Sequence, residues 1–174
     1  MLKMTTRTII LFAVLVSLLL CAAQPAGAAG RDLFDAGSMR MSILIGNGYA
    51  FNESYSVIGL GFGYFIAKGF ELGLDAETWS GASPHIEKIS PSVRYVFPTG
   101  SSVRPYVGAF YRRTIIANYD DLNSAGGRAG IYFVFGRDGY IGLGGVYENY
   151  LSCNEAIYHS CSDSYPEITF AIAF

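Results

Sequence analysis

Lysine is nearly missing from this 174-residue chain: beyond residue 30 only Lys68 and Lys88 occur. No basic patch or run of one charge is present, so no nucleic-acid partner is expected. Histidine is limited to His85 and His159. A metal site would want further His, Cys or carboxylate residues gathered at ligand spacing, and a catalytic one a positioned partner, so no metal, cofactor or catalytic residue is expected. Outside Ile9–Leu20 the chain has no long apolar run, which excludes a helix long enough to span a bilayer. From residue 38 onward no stretch keeps a 3.6-residue period, which excludes a helical bundle. What is abundant is glycine (21 residues) with tyrosine (13) and phenylalanine (12), a mixture that suits a sheet.

The first residues read as an export signal. Lys3 and Arg7 form a positive start, and Ile9–Leu20 is an apolar stretch too short to span a membrane. Pro25 breaks the segment, and Ala26-Gly27-Ala28 supplies small residues for cleavage. A retained anchor lacks support beside that cleavage site, and a lipoprotein through Cys21 would need a small residue where Leu20 stands. The expected division is a signal peptide at 1–28, a short periplasmic segment at 29–37 and a barrel at 38–174. Loss of Lys3 and Arg7 takes the net charge from −2 to about −4. Cys153 and Cys161 remain, an even pair in an oxidising compartment, and are expected to form a disulfide.

Period-two alternation recurs along the rest of the chain. In Phe70–Trp79, Phe70, Leu72, Leu74, Ala76 and Thr78 point one way, while Glu71, Gly73, Asp75, Glu77 and Trp79 point the other. Ile58–Tyr64 alternates large apolar residues with Gly59, Gly61 and Gly63, and the Ala67-Lys68-Gly69 turn joins the two as a hairpin. Strands are predicted near 38–48, 56–66, 70–79, 88–97, 103–114, 127–136, 140–150 and 165–174. Tight turns (67–69, 98–102, 136–139) are expected to alternate with longer polar links (49–55, 80–87, 115–126, 151–164), the asymmetry of outer-membrane barrels. The expected fold is all-β, an eight-stranded antiparallel transmembrane β-barrel.

A soluble barrel hides its apolar side, whereas here one side is almost uninterrupted Leu, Ile, Val, Phe and Tyr and the other carries glycines and charges. Charges can pair inside a narrow lumen but are costly against lipid, so the polar set is expected to face in. That set is Arg40, Glu71, Asp75, Glu77, Arg94, Arg104, Arg112, Arg128, Glu148 and Glu167. Its signs balance, which suits mutual neutralisation in a structural plug more than an ion path. Asp75 with Arg94 is the pair expected to meet. Closure follows because lipid offers no partner to an open sheet edge. Tyr64, Phe65, Phe70, Phe97, Tyr106, Tyr140 and Phe174, toward strand ends, are expected as interfacial girdles. Arg113, next outward after Tyr111 and about ten residues up its strand, should emerge at the external interface, where it can meet a lipopolysaccharide phosphate or reach water.

The chain ends on Ile168, Phe170, Ile172 and Phe174 at alternate positions. This resembles the terminal signal by which barrel assembly machinery recognises outer-membrane barrels. Arg104-Pro105-Tyr106-Val107-Gly108, following a Pro/Thr/Gly/Ser turn, resembles the family of OmpA-, OmpX- and OmpW-like barrels. The resemblance implies residence in the outer membrane of a Gram-negative cell, contact with its lipid and lipopolysaccharide, and assembly by that machinery. A non-enzymatic monomer is expected, anchoring external loops for an extracellular partner or for envelope integrity. The alternatives are a narrow conduit of OmpW-like type, from whose hydrophobic passengers the charged lumen departs, and a lipid A-modifying enzyme. For the last, His159-Ser160 and Ser162 resemble the serine–histidine pairs of outer-membrane deacylases, which sit on a lipid-facing strand with a different local pattern. Gly59-Leu60-Gly61-Phe62-Gly63 invites a nucleotide-loop reading, but no helix follows it.

Overall fold

The computed structural model describes residues 32–50, 53–151 and 161–174, with backbone alone at 49 and 50. The signal peptide expected at 1–28, His159 and the Cys153 half of the expected disulfide lie outside the described residues.

Alternation becomes strand throughout. The elements are β1 (Met39–Ala50), β2 (Glu53–Ala67), β3 (Phe70–Ser80), β4 (Ile86–Val96), β5 (Val103–Ile116), β6 (Leu122–Phe135), β7 (Gly139–Tyr150) and β8 (Ser162–Ala173). Each pairs antiparallel with its neighbours, and β8 returns to β1 to close the barrel. Closure is sealed where the chain ends, with Met39 N–H donating to Phe174 O and Phe174 N–H to Met39 O.

The strands run further than hydrophobic alternation suggests, so the polar links shrink to 51–52, 81–85, 117–121 and 151–161. Above the apolar band the outward face becomes polar, as at Ser56 opposite Ser80. The ladder continues there without its hydrophobic signature. The connection at 97–102, on the end carrying the termini, is as long as the 81–85 and 117–121 links. A strict short–long alternation is therefore corrected, and 151–161 is the one long link at the loop end.

The outward face is apolar from Met41, Ile43 and Ile45 on β1 round to Ile168, Phe170 and Ile172 on β8, all about half exposed. The inner face is layered. At the termini end Phe65, Val96, Tyr106, Tyr132 and Tyr140 close round Phe34, which is 3% exposed. Charged side chains fill the middle, and Tyr55, Val57, Trp79, Ile86 and Ile116 pack at the loop end. One expectation is corrected here. Phe65, Tyr106 and Tyr140 turn inward as a plug, leaving Tyr64, Phe70, Phe97 and Phe174 as the outward aromatics. Residues 32–38 fold into the barrel mouth: Gly37 N–H donates to Phe65 O, Phe65 N–H to Ser38 O and Gly69 N–H to Phe34 O.

Candidate functional site

The interior of the barrel is the candidate site, because every expected inward charge converges there. All ten are buried. Glycine makes the room: a Cβ on Gly61 would stand 2.5 Å from Asp75 Oδ1 and 2.9 Å from Arg40 Nη1. The Gly59–Gly63 alternation thus opens one wall of the lumen to long side chains from the others.

Two ionic groups occupy the middle. In the one nearer the termini, Glu71 lies between Arg40 (2.9 Å) and Arg94 (3.2 Å). Asp75 meets Arg128 at 3.3 Å and Arg40 at 3.4 Å, and Arg128 reaches Glu167 at 3.2 Å. Arg40 also donates to Ser42. The expected Asp75–Arg94 pair forms at 3.9 Å, the longest ion contact of this group, while Arg94 lies directly across the ladder from Glu71 and approaches it more closely, at 3.2 Å. In the upper group Arg112 spends its whole fork, donating to Ser90 Oγ (2.8 Å), Glu77 Oε1 (2.8 Å), Glu148 Oε2 (2.6 Å) and the Tyr165 hydroxyl (2.5 Å). Ser124 Oγ–H donates to the other Glu148 oxygen at 2.5 Å. The Phe110 ring lies between the groups, 4.7 Å from the Arg112 guanidinium carbon and 5.1 Å from that of Arg128. Charges so enclosed need partners on nearly every polar atom, and a planar guanidinium supplies several at once.

Arg104 lies apart from both groups. At the terminal mouth it donates to Asp32 Oδ2 at 2.7 Å and to Ser101 O at 2.7 Å, and its guanidinium faces the Phe34 ring. Two partners escaped the sequence reading. Lys88 is buried with its ammonium 3.9 Å from the centre of the Trp79 ring. Its spacing from Ser90, Ser92 and Arg94 carried the signal, but it stood on a predicted strand boundary. Asp32 and Phe34 gave no signal, because a segment before the first strand has no alternation to place it.

The free space left by these side chains is uneven. Among Arg40, Asp75, Glu77, Arg94 and Arg128 there remains about 10 Å³, too little for a path. Above them, a cavity of about 390 Å³ opens at the loop end beside Trp79. Outside, Arg113 emerges above Tyr111 as expected, with its guanidinium on Asp121 at 2.6 Å. Ile168, Phe170, Ile172 and Phe174 all face outward. His85 lies within 3.3 Å of Thr78 Oγ1 and 3.7 Å of Glu87, on the exposed rim.

No protein-family model matches the sequence, and no curated protein sequence matches it. Among solved structures, the chain is similar to the N-terminal β-barrel domain of Pseudomonas aeruginosa OprF, with TM-score 0.65 and 18% identity, over 80% of this chain and 98% of that one. It is also similar to Neisserial surface protein A, with TM-score 0.54 and 15% identity, over 78% of this chain and 94% of that one. At such identities the likeness is one of fold: the closed eight-stranded antiparallel barrel of the small outer-membrane kind.

Proposed function

We propose that the protein is a non-enzymatic, non-conducting barrel of the Gram-negative outer membrane that anchors its loop end at the cell surface. The observation that carries this reading is a lumen filled by paired charges inside a wall whose outer face is apolar. An apolar outer face with enclosed charges suits lipid outside and a plug within. The loop end is then external and the termini end periplasmic. Because the other external links are short, surface contact with a partner centres on 151–161.

Two partners belong to this reading. The outward Ile168–Phe174 alternation is the element the assembly machinery would recognise. Arg113, exposed at the rim, would exchange Asp121 for a lipopolysaccharide phosphate, which also accepts two guanidinium hydrogen bonds. The test is fractionation combined with single-channel recording. The folded protein should sediment with outer membranes and leave a planar bilayer silent. Recovery from the soluble periplasm refutes the location, and steady unitary conductance refutes the plug. Arg113→Ala should lower lipopolysaccharide co-purification. Unchanged recovery would leave Arg113 as a rim charge held by Asp121.

A further inference from the structure

β1 and β8 pair only from Arg40↔Ala173 to Ile45↔Ile168, although β1 continues to Ala50 and β8 begins at Ser162. The cause is in the sequence. Reciprocal bonds between Met39 and Phe174 place every second residue of β8 in hydrogen-bonding register with β1. Pro166 occupies the first such position beyond Ile168, and it has no N–H to give. The wall therefore parts at the loop end beyond Ile45 and Ile168, where Asn47 would stand opposite Pro166.

The cavity of about 390 Å³ lies at this parting. Its lining joins outward residues, Ile45 and Pro166, to inward ones, Glu77, Trp79 and Glu167, so it passes through the wall instead of ending in the lumen. Among the described residues its ionisable lining is acidic: Glu77, Asp163 and Glu167, without Lys or Arg. Glu77 is engaged by Arg112 and Glu167 by Arg128. Glu167 Oε2 is nonetheless buried without a hydrogen bond. Asp163 accepts one from the Ser164 N–H and has no ion pair among the described residues.

We infer that this seam is a binding site for a cationic amphiphile entering from the outer leaflet. The ammonium group lies inside toward Asp163 and Glu167, and the alkyl chain leaves between Ile45 and Pro166 to lie along the apolar outer face. Glu77 and Glu167 already have guanidinium partners, so the charge that calls for a cationic head is that of Asp163, which a neutral or anionic head would leave without a counter-charge. The inference rests on the barrel spanning the membrane, which fractionation tests separately.

Trp79 is the only tryptophan in the chain and forms part of the cavity wall, so its fluorescence reports occupancy directly. The full mature protein in lipid nanodiscs would be titrated with bromodecyl-trimethylammonium, and in parallel with the matching bromodecyl sulfate and bromodecanol. Saturable quenching by the ammonium probe, at least about tenfold tighter than by the other two, is expected. Asp163→Asn should weaken it about fivefold. Nothing lies within 4 Å of where a Gly46 Cβ would be, so a side chain there has room to enter the cavity, and Gly46→Phe should abolish saturation. Equal quenching by all three probes, no quenching, or saturation unchanged in Gly46→Phe would each overturn the site. Heat-dependent gel mobility of every variant shows that the barrel is intact.

Discussion

Glu71 is fully enclosed and serves two guanidinium groups at once, so its loss leaves Arg40 and Arg94 with only their longer contacts to Asp75. Glu71→Gln should cost about 3–5 kcal/mol, read by urea unfolding in lipid vesicles. A double-mutant cycle of Glu71 with Arg94 should show strong coupling, and a cycle of Asp75 with Arg94, 3.9 Å apart, a weaker one. Equal coupling in both would mean that the two carboxylates share Arg94. Which residues face the lumen was legible in the sequence, because alternation alone sorts the faces. Which charge meets which was not. Partner choice depends on cross-strand register and on side-chain reach across a lumen narrow enough for Arg128 on β6 to touch Glu167 on β8. Lys88 shows the same limit from the other side, since its face was readable and its strand was placed to begin there.

At the scale of elements, two short pieces do more than their sequence announces. Residues 32–38 carry Phe34 into a nest of aromatic rings, stacked on Tyr132 with centroids 6.0 Å apart and 5.2 Å from Tyr140. Phe34→Ala should cost about 3–5 kcal/mol by the same unfolding assay, because nothing nearby can refill the space. Wild-type stability would show instead that the mouth closes without it. β8 is the second piece. Its lower half repeats an apolar–small alternation that the sequence displays openly, and Phe174→Ala keeps the backbone bonds to Met39. That variant should refold in vesicles like wild type yet insert more slowly in cells, and equal insertion would refute the assembly role. The first residues of β8, Ser162 to Ser164, were legible only as a loop because they break the apolar pattern. Pro166→Ala lets the N–H of residue 166 donate to Asn47 O and close the ladder, so that Asn47 N–H donates to the carbonyl of 166 and should exchange more slowly with solvent deuterium. Unchanged exchange would place the cause of the parting elsewhere.

For the whole molecule, closure against flow rests on two layers in series. The aromatic layer round Phe34 blocks the terminal mouth, and the paired charges of Arg40, Glu71, Asp75, Arg94 and Arg128 fill the middle. In series, either layer alone keeps the lumen shut. A chain beginning after residue 37 should therefore remain silent in a planar bilayer. Glu71→Ala with Arg94→Ala should also remain silent, since the aromatic layer stands and removal of both partners leaves one less unpaired charge than a single change does. Only the combination should yield unitary currents. Heat-dependent gel mobility, retained in all three proteins, would show that currents come from an opened lumen and not from an unfolded wall. Conductance in the truncated chain alone would show that the ionic layer does not seal. Silence in a folded combination would place the seal in the upper group round Arg112.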